Sequence, residues 1–326
     1  MARIALDAMG GDNAPGEIVL GALDATARGA DVVLVGDESV IRPLLVANGL
    51  DLPVIHAPET IGMADDPAAA IREKKGASVT ACARLVAEGE AAGMVSAGST
   101  GAAMAAAAIV IGRIPGVSRP AIATIFPLGT PTVVLDAGAN VEVKPEHLVQ
   151  FAVMGSVFAE IYLDRVSPTV GLLNIGEEAG KGRDLEKAAH VLMRQQLTRF
   201  VGNVEGRDLG RGVADVFVTD GFTGNVLLKT AEGVARVVGR FVLEGLAAET
   251  DPAVQEAITV ILPKMMGLRE KFDPEAYGGA HLVGVKGTVV IAHGSSSRRA
   301  IANALVMAGE GAERGLVDRI QAGIGG

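Results

Sequence analysis

Two residues carry the strongest chemical suggestion in this chain. Lys181 sits between glycines in Gly176-Glu177-Glu178-Ala179-Gly180-Lys181-Gly182, directly after the apolar run Val170–Ile175. A lysine flanked by glycine suits a loop that folds its ammonium over an anion; a solvated surface lysine is the plainer alternative. Asn225 closes Asp220-Gly221-Phe222-Thr223-Gly224-Asn225, which follows the strand-like Val216-Phe217-Val218. It can donate to a phosphate or an oxyanion, or it can cap the helix expected from Val226. Glycine in such a turn, Gly224 included, lets backbone approach a ligand closely. The helix start behind it offers free N–H groups and a positive dipole end, both of which favour an anion.

Similar strand-to-glycine-to-helix junctions recur at Ser96-Ala97-Gly98-Ser99-Thr100-Gly101, Asp136-Ala137-Gly138-Ala139-Asn140 and His293-Gly294-Ser295-Ser296-Ser297. Ser96, Gly98, Ser99, Thr100, Gly101, Asn140, His293, Ser295 and Ser296 are therefore candidate contacts for a phosphate-like group. Asp7, at the end of the first strand candidate, either joins them or simply shapes its turn. His293 suits acid–base work or a structural hydrogen bond. In a parallel α/β sheet such turns gather at the carboxyl ends of the strands, where ligands bind. Several in one chain suggest an enzyme that holds phosphate.

Familiar cofactor and catalytic motifs do not fit. The nearest approach to a dinucleotide fingerprint, Gly309-Glu310-Gly311, lies in a helical context rather than after a strand. Gly176–Gly182 is one residue short of a nucleotide-binding P-loop, and Gly182 replaces the magnesium-binding hydroxyl. No G-x-S-x-G is present. His56, His147, His190, His281 and His293 are scattered without metal spacing, so no zinc site is expected.

The elements that must position these residues are legible as alternating short apolar runs and helical patterns. Strand candidates are Arg3–Leu6, Asp31–Val35, Pro53–His56, Gly93–Ser96, Ala121–Phe126, Thr132–Leu135, Thr169–Asn174, Phe200–Val204, Asp215–Val218 and Gly287–Ala292. The alternation predicts βαβ units, an α/β fold with a mainly parallel sheet, and residues 1–326 forming one catalytic unit. From Val226 to Phe272 the pattern predicts a long helical hairpin. Its second arm shows Val254, Ala257, Ile258, Ile261, Leu262 and Met265 at helical spacing, opened by Pro252 and kinked at Pro263. Lys264, Arg269 and Lys271 lie near Met265, Met266 and Leu268. This arm packs on the core or a second subunit, or it touches a membrane surface. Met94–Gly112 is uncharged but opens on Ser, Gly and Thr, and reads as a buried helix rather than a membrane span.

The 326 residues carry a formal net charge of -9 and are 49% hydrophobic but only 3% aromatic. The core must therefore be built from Ala, Val, Leu and Ile. No basic stripe suggests nucleic acid. The single Cys82 reads as a buried thiol, and it fits a reducing cytoplasm. Strand-like Arg3–Leu6 opens the chain where a signal peptide would otherwise stand.

Taken together, the motifs resemble those of the bacterial phosphate acyltransferases, nearly end to end. They are ALDAMGGD at Ala5–Asp12, SAGSTGA at Ser96–Ala102, LDAGAN at Leu135–Asn140, KPEHLVQFAVMGSVFAE at Lys144–Glu160, GLLNIGEEAGKG at Gly171–Gly182, FVGNVEGRD at Phe200–Asp208, DGFTGNVLLKTAEG at Asp220–Gly233 and VVIAHGSSS at Val289–Ser297. Ser99 stands where many members carry Asn, and His281-Leu282 stands in a stretch that is usually GGAPLLG-like. The resemblance implies a Rossmann-like fold related to phosphotransacetylases and isopropylmalate dehydrogenases. It implies a homodimer without metal or nucleotide, held peripherally at the inner face of the cell membrane. The implied reaction takes acyl-acyl carrier protein and inorganic phosphate to acyl phosphate, which passes to an integral-membrane glycerol-3-phosphate acyltransferase. Lys181 and Asn225 are the expected catalytic residues. The carrier is acidic, and Arg207, Arg211, Arg298 and Arg299 are candidates to meet it. A short-chain phosphotransacetylase using acyl-CoA, an isopropylmalate-type dehydrogenase and a non-catalytic membrane-surface scaffold are the alternatives. The dehydrogenase would need clustered Asp ligands for a metal, and no convincing cluster is visible.

Overall fold

The computed structural model describes residues 1–127, 129–271 and 274–325, and for 265–271 and 274 the backbone alone. The strands are β1 (Arg3–Asp7), β2 (Asp31–Gly36), β3 (Val54–His56), β4 (Gly93–Ser96), β5 (Ala121–Phe126), β6 (Thr132–Leu135), β7 (Val170–Asn174), β8 (Phe200–Glu205), β9 (Val216–Val218), β10 (Ala280–Val283) and β11 (Thr288–Ile291). The helices are α1 (Gly16–Ala27), α2 (Glu38–Ala47), α3 (Pro67–Glu73), α4 (Ser78–Ala87), α5 (Thr100–Ala106), α6 (Pro145–Tyr162), α7 (Asp184–Gln196), α8 (Gly221–Ala247), α9 (Pro252–Lys271), α10 (Arg298–Glu313) and α11 (Leu316–Gly325). Every strand expected from the sequence forms.

One 11-stranded sheet runs in the order β3-β2-β1-β4-β11-β10-β5-β6-β9-β7-β8. Its pairs are parallel except for β11 with β10, β10 with β5, and β5 with β6. These three successive reversals have a topological consequence. Strands β1, β2, β3, β4 and β11 run one way, whereas β6, β7, β8 and β9 run the other. The carboxyl ends of the two groups therefore emerge at opposite ends of the sheet. The expectation that all the glycine turns gather at one carboxyl edge is corrected accordingly. The unanticipated β10 is one cause. It is four residues long, lies between Gly278-Gly279 and Gly284, and carries a histidine, so nothing in its composition marks a strand.

Alternating side chains fill both faces, as expected of a sheet covered by helices on each side. On one face Ile4, Leu6, Leu34 and Val290 pack with α1, α2 and α10. On the same face Val133, Leu135 and Val216 pack with Phe151 and Phe158 of α6 and with α7 and α11. On the other face Ala5, Val33, Met94 and Ile122 meet α3, α4 and α5. There the first turns of α8, through Leu227, Leu228 and Ala231, cover Val134, Phe126 and Phe217.

Beyond those turns α8 leaves the sheet. Val234, Val237, Val238, Phe241, Val242 and Leu243 are exposed, as are Val254, Val260 and Ile261 of α9. The hydrophobic stretch Met94–Gly112 becomes β4, α5 and a π-helical turn at Ala107–Ile111, with Ala102, Ala103, Ala106 and Ala107 buried. Among the described residues no helix is long and apolar enough to cross a membrane. The side chains of Met265, Met266, Leu268, Arg269 and Lys271 lie outside the described residues, as does Phe272.

Candidate active site

The turn after β6 is built around a buried carboxylate. Asp136 is fully buried. Its Oδ1 accepts from the N–H groups of Ile122 (3.1 Å), Gly138 (3.0 Å) and Ala139 (2.9 Å), and its Oδ2 from the Asn140 N–H (2.7 Å) and the Asn140 amide (2.8 Å). Burial pushes this carboxyl up, and the N–H donors of Ala139, Asn140, Gly138 and Ile122 pull against it. The Asn140 amide also donates to the Pro120 carbonyl at 2.8 Å. Asn140 thus fixes the turn with its nitrogen rather than presenting that group outward.

The start of α8 lies directly on this turn. The Gly221 N–H donates to the Asn140 carbonyl at 2.7 Å. A Cβ on Gly224 would stand 2.0 Å from the Asp136 carbonyl oxygen. Glycine is required there for backbone against backbone. Gly138, at φ 144°, packs beneath Asn225, where an added Cβ would lie 3.6 Å from the Asn225 Cβ.

The expectation of a free, anion-binding helix end is corrected here. Helix α8 begins at Gly221, not Val226, so Asn225 lies inside the first turns and does not cap them. The cap is Asp220, whose Oδ1 accepts from the Thr223 N–H at 2.7 Å and whose Oδ2 accepts from the Thr223 hydroxyl at 3.0 Å. The Gly224 N–H is bonded to the Asp220 carbonyl. The helix dipole is already facing a carboxylate of its own chain. With the Gly221, Thr223 and Gly224 N–H groups taken, a further anion depends chiefly on side chains, and Asn225 is exposed on that turn.

Lys181 belongs to the same end of the sheet, in the loop after β7. Its carbonyl accepts from the Asn174 amide at 3.1 Å, and Gly182, at φ 91°, turns the chain into α7. The ammonium is half exposed and only 3.9 Å from Glu178, a loose pairing that leaves it open to a second anion. Two residues on, Arg183 reaches Asp220 at 2.5 Å and grips the buried Glu186 through Nε at 2.9 Å. The Glu186 side chain accepts from the Arg183 N–H at 2.7 Å, satisfying one of the free donors at the start of α7. Salt bridges and hydrogen bonds to Glu186 and Asp220 push the Arg183 guanidinium further up, so it is permanently charged. Arg183 was not singled out in the sequence. Its one advance signal is the Arg183–Glu186 spacing at a helix start.

The remaining candidates lie at the other end. Asp7 is buried and accepts from the Ser96 hydroxyl at 2.7 Å and the Met9 N–H at 3.2 Å. The Ser96 oxygen in turn accepts from the Gly98 N–H at 3.1 Å. Ser99 caps α5 by accepting from Ala102 at 3.4 Å, with Thr100 and Gly101 in the helix's first turn. His293 Nδ1 is 2.9 Å from the Ser295 hydroxyl, and Ser296 is buried. A recess of about 20 Å³ lies among Asp7, Ser78, Ser96, Gly98 and Ser99, with Thr60 at its wall. That is room for about one water. No lysine or arginine lines it, and burial pushes the Asp7 carboxyl up. A recess lined by hydroxyls and one carboxylate, with no cation, suits a phosphate dianion less than the Lys181–Asn225 end does. Among the described residues no group of three or more His, Cys, Asp or Glu is placed to hold a metal ion.

This architecture is an α/β fold shared with phosphotransacetylases. A phosphotransacetylase from Streptococcus pyogenes superposes with a TM-score of 0.66 at 17% identity, covering 96% of this chain and 94% of its own. A 4-hydroxythreonine-4-phosphate dehydrogenase from Klebsiella pneumoniae shares the fold at a TM-score of 0.57 and 14% identity, covering 96% and 100%. The chain belongs to the phosphate acyltransferases, within the family described as fatty acid synthesis protein, whose model matches residues 2–319. A phosphate acyltransferase of Desulforamulus reducens is 50% identical over 327 residues, covering 98% of this chain and 97% of the relative. One of Oceanobacillus iheyensis is 46% identical over 309 residues, covering 94% and 92%. The protein is an acyltransferase.

Proposed function

We propose that the chain moves an acyl group from the thioester of an acyl carrier protein to inorganic phosphate, with Lys181 and Asn225 as its catalytic side chains. A phosphate oxygen attacks the thioester carbon, a tetrahedral oxyanion forms, and the C–S bond breaks. The electron pair leaves on the carrier thiolate, which takes a proton from solvent. Phosphate has a dianionic form near neutral pH and a thiolate is a good leaving group, so neither a strong base nor a strong acid is needed. What the reaction needs is neutralisation of phosphate, its placement about 3 Å from the carbon, and donors for the oxyanion. Lys181 meets the first need. Asn225 orients phosphate or donates to the oxyanion.

The observation that carries this reading is the joint placement of an open ammonium and an exposed amide, tied to one another's elements by Arg183 and Asp220. The test incubates the protein with palmitoyl-acyl carrier protein and phosphate. Free carrier thiol is followed, and acyl phosphate is trapped as hydroxamate. Phosphate-dependent thiol release with matching hydroxamate supports the transfer. Thiol release alone indicates a thioesterase, and release only from acyl-CoA indicates a short-chain phosphotransacetylase.

The exposed apolar surface of α8 favours a second element of the same reading. Val234, Val237, Val238, Phe241, Val242 and Leu243 form a large uncovered patch on a helix that has left its own core. A homodimer joined through α8, with the α8–α9 arm resting on the membrane surface, would cover it. There the acyl phosphate would be released beside an integral-membrane glycerol-3-phosphate acyltransferase. Liposome flotation with Phe241→Glu tests this: retained flotation and an unchanged oligomeric state would remove both roles from the patch.

A further inference from the structure

The arginines that the sequence offered as a carrier-binding surface are already engaged. Arg298 is held by Asp24 at 2.6 Å, Arg211 by Asp208 at 3.2 Å, and Arg207 by Glu205 at 3.1 Å and Glu177 at 3.5 Å. A guanidinium neutralised by its own chain contributes little to attracting an acidic partner.

A different group of cations is left open, and it adjoins the catalytic end of the sheet. Arg119, Lys144 and Lys286 are exposed and, among the described residues, form no ion pair within 4 Å. Arg113 is exposed, and among the described residues its side chain donates only to the Ser118 carbonyl, which leaves its charge uncompensated. The local bonding places the four together. The Lys286 N–H donates to the Gly112 carbonyl beside Arg113, and the Ser118 N–H donates to Gln150 of α6. Arg119 and Lys144 both bear on His147 of α6, whose ring is held below its usual range by burial, then by these two positive charges. Glu146 is the carboxylate facing that ring, and Glu142 precedes Lys144 in the chain. The patch also touches the site. Asn140, which carries the first turn of α8 on its carbonyl, donates its amide to Pro120, the residue after Arg119.

Resting on the acyl-transfer reading above, we propose that Arg113, Arg119, Lys144 and Lys286 form the docking surface for the acidic carrier protein. Complementary charge steers an acidic partner and fixes its orientation even when the docking protein is acidic overall. A carrier seated here would be oriented beside the turn that supports Asn225, so that its flexible thioester arm needs to span only the edge of the sheet.

The experiment compares wild type with Arg119→Glu/Lys144→Glu, and with Lys286→Glu as a milder variant, on two substrates. One is the acyl carrier protein thioester and the other a short acyl-pantetheine thioester. Charge reversal should raise the KM for the carrier substrate by about tenfold or more and flatten its salt dependence, on the scale of lost electrostatic steering. The KM for phosphate and the turnover of acyl-pantetheine should stay within about twofold, which also shows that the variants fold. An unchanged carrier KM, or an equal loss on both substrates, overturns the docking surface. If wild type transfers from neither thioester, the functional reading has failed instead. Titration of the carrier against wild type and the double variant then tests the surface by itself, with equal affinities overturning it.

Discussion

Arg183 and Asp220 meet at 2.5 Å although they are 37 positions apart in the chain. One opens α7 after the Lys181 loop, and the other caps α8 ahead of Asn225. The contact therefore joins the elements bearing the two proposed catalytic side chains. Asp220 is almost fully buried, and its carboxylate sits at a helix N-terminus that stabilises it. The Arg183 side chain is more than half exposed, so solvent screens the pair and its value lies in geometry more than in stability.

Replacing Arg183 with Gln should consequently cut kcat/KM by about tenfold to a hundredfold, the size of a misplacement rather than a lost reacting group. Melting temperature should fall by only a few degrees. The informative comparison is the double variant with Lys181→Ala. Because Arg183 acts by placing the Lys181 loop, its loss should add little once Lys181 is gone. Losses that multiply would show that Arg183 does not work through Lys181.

Lys181→Ala and Asn225→Ala should each lower turnover by about a hundredfold or more, as for one lost transition-state donor. Both side chains are exposed, so thermal stability should hold. The phosphate KM should rise more in Lys181→Ala, since the ammonium supplies charge and the amide only dipoles. A folded Lys181→Ala protein with wild-type rates would remove it from the mechanism.

Gly224→Ala tests the seat of α8. The added methyl would stand 2.0 Å from the Asp136 carbonyl oxygen and 3.0 Å from Thr219, and backbone cannot step aside as a flexible side chain can. Overpacking of this kind costs about 1–3 kcal/mol. Because the same turn supports Asn225, activity should fall out of proportion to stability. A variant with wild-type melting and turnover would show that α8 shifts freely on the turn. Gly233→Ala on the same helix, where a Cβ meets nothing within 4 Å, is the control: it should leave turnover unchanged and raise stability by about 0.5–1 kcal/mol, the helix preference of alanine over glycine.

Most of the fold was legible because its strands are runs of Val, Ile, Leu and Ala bounded by turns. The exception, Ala280–Val283, is short and flanked by glycines, and its absence from the expected strands concealed a change of direction across the sheet. That is why residues as similar in local pattern as Ser96–Gly101 and Asp136–Asn140 fall at opposite ends. Local pattern also could not distinguish a glycine that admits a ligand from one that admits another stretch of backbone. Gly221 and Gly224 are of the second kind. Lys181 and Asn225 could be singled out from residue type and glycine context, whereas Arg183 could not, since its partner is distant in sequence and surface arginines are common.

His281 offers a test of stability against pH that is independent of catalysis. Its ring is buried against Phe158 and Tyr162, with ring centroids 5.0 Å and 4.8 Å away. Nδ1 lies 3.4 Å from the Tyr162 hydroxyl, and Nε2 has no partner among the described residues. Burial lowers its pKa from 6.5 to about 3, so the native protein holds it neutral. Below pH 6.5 the unfolded chain binds a proton that the native state refuses until about pH 3. Stability present above pH 6.5 is therefore lost as the pH falls through that window, by about 1.4 kcal/mol per unit. His281→Leu removes the titration and also the unpartnered nitrogen. Urea unfolding of both proteins at pH 7.5 and pH 5 should show the variant gaining about 2 kcal/mol on wild type at the lower pH. Stability differences that are equal at the two pH values would mean that the imidazole takes up its proton in the folded core.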